Sequence, residues 1–213
     1  MSYVNAKLFE IAHRFASKEG TRYYLQGVHI EAAPEGGAFL VATDGHRMLA
    51  VHDREASAPE RPVIMQASAL ALKACKAKES ARIIIGNGGG EIVTDEGQSL
   101  ASGIAEIDGS FPNWRAVVPV ALPDEGPRGV FQPGYVSDFA KAAIDLGKLN
   151  GWRTGMVSMC QDGPRDVAVI LFGDAPAFGL LMPTQEADLN TDASAAAYRL
   201  VRPVARPVMV AAE

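Results

Sequence analysis

Asp44 and His46 stand two residues apart in a chain with several serines, a combination from which a hydrolase could be built. A serine nucleophile needs a base beside it and a strained turn that exposes it, yet no Gly-x-Ser-x-Gly occurs. His13, His29, His46 and His52 never take the His-x-x-x-His or His-Glu-x-x-His spacing that places two imidazoles on one helix face around zinc. The run Gly86-Asn87-Gly88-Gly89-Gly90 lacks the Gly-Lys-Ser/Thr ending of a phosphate loop and reads as a turn. Cys75 and Cys160 supply neither a disulfide framework nor a metal motif, so a reducing cytoplasm is the expected compartment. With no convergent acid–base set, metal or cofactor motif, the chain reads as a binding protein and not as an enzyme.

The chain that must position these residues has 213 of them, 48% hydrophobic and 21% charged, with a formal net charge of −5. That suits one large or two small globular domains. No apolar run approaches the ~20 residues of a membrane span. Lys7, Glu10 and His13 interrupt any apolar core of a signal peptide. A coarse β-α-β-β-β pattern occurs three times. The first copy has a helix over 6–18 and strands near 22–31, 39–43 and 47–52, with Asp44-Gly45 as the turn of the last hairpin. The second has a strand at 62–66, an Ala-rich helix at 68–78, and strands near 82–86, 91–94 and 99–104. The third has a short strand at 130–132, a helix at 137–148, and strands near 155–160, 166–172 and 178–182. Residues 123–127, Pro-Asp-Glu-Gly-Pro, read as a linker. The domains expected are therefore 1–120 (two modules), 121–185 (one module) and a tail over 186–213, either loosely ordered or adding an edge strand. One such module exposes two sheet edges, which repetition covers.

Helical spacing groups the cations. Lys7, Arg14 and Lys18 fall in one stripe of the first helix, and Lys141 and Lys148 in one stripe of the third. Lys73 and Lys76 adjoin on the second. Leu8, Ile11, Ala12 and Phe15 form a separate, sheet-facing arc. Outward lysines serve solubility on any amphipathic helix. In an acidic protein whose helices all carry them, they also suit a surface that neutralises phosphates without reading bases.

Three runs in this order, Arg22-Tyr23-Tyr24-Leu25-Gln26-Gly27, Thr43-Asp44-Gly45-His46-Arg47 and Asp108-Gly109-Ser110-Phe111-Pro112-Asn113-Trp114-Arg115, carry a further message. Together they resemble the middle domain of the bacterial DNA polymerase III beta sliding clamp. The resemblance covers about 8–119 well and 129–185 more loosely. It implies an α+β DNA-clamp fold, with repeated β-α-β-β-β modules and helices on one face of antiparallel sheets. It also implies a ring around duplex DNA, bound without sequence preference, that tethers a replicative DNA polymerase and is opened by a clamp loader. Lys7, Arg14, Lys18, Lys73, Lys76, Lys141 and Lys148 would face the DNA. A partner peptide would enter an apolar cleft walled by Leu25, Thr43, Gly45, His46, Arg47, Met48, Pro112 and Val117. Tyr135, Leu180, Leu181, Met182 and Pro183 would close its other side. Ala116 stands where the family often has a second arginine, and Thr184 where it has a methionine, so the cleft is expected to be shallower or differently selective. The family carries six modules per chain and closes as a dimer. Three modules here imply a homo-oligomeric ring of four subunits joined head to tail, or a trimer if a second complete domain follows residue 121, with a dimer as the remaining alternative. The compactness suggests a phage, prophage or other mobile replicon. The alternative is a clamp-derived protein that never encircles DNA and binds or competes for replication partners.

Overall fold

The computed structural model describes residues 1–77, 81–119, 129–152 and 155–184; the expected linker and the whole of the expected tail lie outside them. Its elements are β1 (Ser2–Asn5), α1 (Ala6–His13), β2 (Val28–Ala32), β3 (Ala38–Thr43), β4 (Arg47–Asp53), β5 (Val63–Ala67) and α2 (Ala69–Ala77). There follow β6 (Arg82–Gly86), β7 (Gly89–Val93), β8 (Ser99–Glu106), α3 (Pro133–Leu149), β9 (Ser158–Cys160), β10 (Ala168–Leu171) and β11 (Ala177–Leu181). Two 3₁₀ segments, Gly20–Leu25 and Trp114–Val117, complete the set.

All the named strands join one antiparallel sheet of eleven, in the order β1-β6-β7-β8-β5-β2-β3-β4-β11-β10-β9. The opening strand of each of the first two modules pairs with the other module: β1 lies on β6 and β5 on β2. The third module joins through β11, which runs along β4 with Leu180 opposite Met48 and Leu181 opposite Arg47.

The three helices share one face. Asn5 starts α1 by accepting from the Lys7 and Leu8 amides at 2.9 and 3.0 Å. Phe9, Ile11, Phe15, Leu40, Leu49, Ile83 and Phe139 join in one continuous core beneath the helix layer. Gly179 in β11 lets α3 settle this closely, since a Cβ there would enter the Phe139 ring. On the opposite face a second cluster gathers Val41, Met48, Ala50, Trp114, Val169 and Leu180. Strand β4 is therefore apolar on both faces, as a strand covered from both sides must be.

Three expectations need correction. The first helix ends at His13, because the chain turns there and buries Phe15 and Ala16. Residues 22–25, expected to be extended, form the 3₁₀ turn instead. Residues 130–132 are not a strand: the Val130 carbonyl accepts from the Thr184 amide at 2.8 Å, but the other edge finds no ladder partner among the described residues. β1 went unread in the sequence, since its ladder partner lies some eighty residues away.

Candidate functional site

A cleft of about 310 Å³ opens where β4 meets β11. Leu25, Met48, Pro112, Trp114, Val117, Val167, Leu180 and Met182 supply its apolar lining, and Arg22, Tyr24, Thr43, Gly45, His46, Arg47 and Asn113 its polar part. Leu25, Met48 and Leu180 form a largely buried floor, whereas Val117 and Met182 are 57% and 47% exposed. Mobile thioethers beside a rigid indole make an adaptable apolar surface.

The hairpin between β3 and β4 fixes one rim. Gly45 adopts φ 91°, in the left-handed region, while Asp44 Oδ1 accepts from the His46 and Arg47 amides at 3.0 and 3.1 Å. Thr43 Oγ1 donates to the Arg47 carbonyl at 2.8 Å. A Cβ on Gly45 would also crowd the Arg22 guanidinium, which pairs with Glu19 at 2.8 Å.

Arg47 reaches the cleft, but its charge is used inside the protein. Its side chain is 8% exposed and pairs with Asp44 at 3.1 Å and Asp138 at 2.5 Å. It also donates to the Arg14 carbonyl at 3.2 Å and sits over the rings of Phe15 and Tyr135 at 4.8 and 4.7 Å. Burial pushes the Asp138 carboxyl up, yet hydrogen bonds from Arg47 and Lys141 outweigh it and hold Asp138 below its ordinary value. Arg47 thus latches the hairpin to α3.

Glu31 anchors the opposite rim. It accepts from Trp114 Nε1 at 3.2 Å, Arg115 Nη1 at 2.5 Å and His29 Nε2 at 3.1 Å. Phe111 stacks on His29, with centroids 4.7 Å apart. Burial raises the Glu31 carboxyl, and His29 and Arg115 more than reverse the effect. Burial keeps His29 below its ordinary value despite Glu31. These bonds fasten the segment that brings Pro112, Trp114 and Val117 to the cleft.

Ten of the thirteen expected cleft residues line it: Leu25, Thr43, Gly45, His46, Arg47, Met48, Pro112, Val117, Leu180 and Met182. The other three sit nearby. Tyr135 stacks behind the rim on His46, at 6.2 Å between centroids. Leu181 alternates away from Leu180 into the helix-side core. Pro183 packs beside Gly129. Arg22, Tyr24, Asn113, Trp114 and Val167 were missed as walls. The first four belong to the quoted motifs, and reading 22–25 as a strand hid that a 3₁₀ turn brings neighbouring residues together. Val167 carries no local signal.

The helix face differs more from expectation. Glu10, 3% exposed, gathers Arg14 at 2.7 Å, Lys76 at 3.1 Å and Lys7 at 3.9 Å. Arg14 also pairs with Asp145 at 2.6 Å, and burial is outweighed there, so its guanidinium stays above its ordinary value. Lys141 and Lys148 lie 3.0 and 3.8 Å from Asp138 and Asp145. Lys18 and Lys73 are exposed and without ion pairs among the described residues. Because α1 stops at His13, Lys7, Arg14 and Lys18 do not form a continuous helical stripe. Much of this basic charge holds α1 between α2 and α3. Among the described residues, no group of three His, Cys, Asp or Glu is placed to hold a metal, and no helix is long and apolar enough to cross a membrane.

This architecture defines a class. No family model and no curated protein matches the chain, but solved structures do. It is similar to the DNA polymerase sliding clamp of Pseudomonas aeruginosa, solved with ligand, at 15% identity and a TM-score of 0.61. The alignment covers 86% of this chain and 65% of that one. The DNA polymerase III beta sliding clamp of Bartonella birtlesii bound to griselimycin aligns at 18% identity and TM-score 0.58, over 86% and 66% of the two chains. The DNA polymerase III subunit beta of Borrelia burgdorferi, in complex with a natural product, aligns at 13% identity and TM-score 0.57, over 86% and 63%. The described residues have the α+β fold of these clamps, and the chain spans about 65% of the length of the first of them.

Proposed function

We propose that this chain is a DNA sliding clamp, a non-catalytic processivity factor that closes as a homo-oligomeric ring around duplex DNA. In this reading it holds a replicative polymerase through the cleft at the β4–β11 junction and is placed on DNA by a clamp loader. The observation that carries the reading is the cleft itself: an apolar floor, two exposed apolar side chains at its mouth, and a polar rim built by the same three segments that carry the sequence resemblance. A short peptide with a glutamine and spaced leucine or phenylalanine fits that chemistry, its apolar side chains on Leu25, Met48 and Leu180 and its amide on the rim. Duplex retention would then be topological and sequence-independent, with Lys18 and Lys73 as its freest cations.

Calorimetry with such a peptide tests the cleft. Binding should be lost in Met182→Asp, which alters a half-exposed residue and leaves the melting profile unchanged; equal affinity in both proteins would exclude the cleft. Retention on circular duplex, with loss after linearisation, tests the ring. The pairing of Lys7, Arg14 and Lys76 with Glu10 favours a second reading, in which the protein binds replication partners without encircling DNA. Retention that is indifferent to linearisation would select it.

A further inference from the structure

Large exposed apolar side chains are not scattered over this molecule. Apart from Met1 and Tyr23, those among the described residues fall in three places. Val117 and Met182 mark the cleft. Leu70 and Leu100 belong to the second module. Val130, Val136, Ile144, Met156 and Val157 all belong to the third, the one module without a mate among the described residues.

The first two modules show what a mate does. β1 runs beside the segment that follows β4, exchanging hydrogen bonds with Ser57 at 2.9 and 3.0 Å, and gives its other edge to β6 of the neighbouring module. β5 returns the favour on β2. The helices of the two modules, α1 and α2, pack side by side. In the third module, residues 129–132 repeat the first half of this arrangement. Val130 is bonded to Thr184 just past β11, as β1 is bonded just past β4. The second half is missing. The far edge of 130–132 and the outer edge of β9 both lack ladder partners among the described residues. On α3, Asp138 and Asp145 turn towards Arg47 and Arg14. Val136, Ala140 and Ile144, four residues apart, form an exposed stripe on α3, with Ile144 also edging the groove that Arg14 and Asp145 line. An open strand, an open edge to receive it and an apolar helix flank occur together on one module. Natural sheets blunt, cover or pair such edges.

We propose that the third module pairs with the third module of a second copy of this chain across a two-fold axis. Residues 130–132 of each copy lie on β9 of the other, as β1 lies on β6 and β5 on β2. The α3 helices meet along Val136, Ala140 and Ile144. Such a contact is isologous, so one surface serves both partners, and it replaces the head-to-tail junction expected from the sequence. The resulting pair leaves the stretch Ser99–Gly103 of β8 open at each end. In the first module the corresponding stretch of β4 is covered by β11. Two pairs joined through β8 would close a ring of four chains. The pairing of third modules does not depend on DNA being encircled.

Two measurements on the full chain test it. Val136→Glu combined with Ile144→Glu changes only exposed positions and should halve the mass in light scattering while circular dichroism stays unchanged. Ala140→Cys in a Cys160→Ser background should form, under mild oxidation, a disulfide between two copies, because a residue near a two-fold axis meets its own copy. An unchanged mass in the double variant, a monomeric wild type at high concentration, or absence of the disulfide would each overturn the proposal. Failure of topological DNA retention with both expected results intact would remove the ring and leave the pairing standing.

Discussion

Replacing Arg47 by methionine keeps most of the side-chain volume and removes the charge that latches the β3–β4 hairpin to α3. Removing one partner of a buried ion pair costs ~3–5 kcal/mol, because the other charge is left without compensation. Asp44 and Asp138 are 15% and 27% exposed, so water recovers part of their solvation. The stacking over Phe15 and Tyr135 weakens as well. A loss near the low end follows, about 3 kcal/mol, and at ~2–4 °C per kcal/mol for a chain of this size the melting temperature should fall by roughly 6–12 °C. A double-mutant cycle of Arg47→Met and Asp138→Asn, read by urea or thermal denaturation, isolates the pair. A coupling of ~1 kcal/mol or more is expected, whereas one below ~0.5 kcal/mol would refute the latch. The pH dependence adds a second reading. The folded Asp138 carboxyl lies below its ordinary value, so the stability it contributes is present above the unfolded value of ~3.9 and lost as pH falls through the lower folded one. The gap between wild type and Arg47→Met should therefore hold from neutral to mildly acidic pH and close only in strong acid.

Glu31→Gln keeps the shape of the anchor and removes the charge that Trp114 and Arg115 share; cleft-peptide affinity measured by calorimetry should fall about tenfold, ~1.4 kcal/mol, with little change in melting. Lys18→Glu with Lys73→Glu should lower the slope of log affinity against log salt by about two for duplex DNA, while Arg14→Glu should act first on stability through Glu10 and Asp145. Burial pushes the Cys75 thiol up to about 12, so a thiol reagent should label it only after denaturant is added; rapid labelling of Cys75 in the native protein would contradict its place in the core.

What was legible in the sequence was local. Asp44-Gly45 between two apolar runs specifies its hairpin through one glycine at positive φ and two amide bonds to one carboxylate. The cleft residues of that hairpin were named from the resemblance to the clamp family, and spacing alone gave only the turn. Leu180 and Leu181 mark the boundary of such reasoning, because both are apolar and adjacent, and only pairing with β4 decides which faces the cleft and which the core. The charged residues were harder for the same reason. Helical spacing put Lys7 and Arg14 on one side of α1 but could not show Glu10 buried between them, nor Asp145 arriving from α3. A lysine stripe and an ion-paired helix seam look alike until the neighbouring helix is known.

The failed strand at 130–132 carries this distinction furthest. Its residues have the composition of an opening strand and occupy the place of one beside Thr184. A strand nevertheless needs a ladder, and the ladder of an opening strand belongs to the neighbouring module. Local propensity can only propose β structure, while the partner edge creates it. The same dependence runs through β1 and β5, each of which is a strand because the other module receives it. In this fold the module is a unit of sequence and the pair of modules is the unit of hydrogen bonding. The described residues hold an odd number of modules, which leaves one opening strand and the outer edge of β9 without ladder partners among them, and a second copy of the chain has the complementary edge.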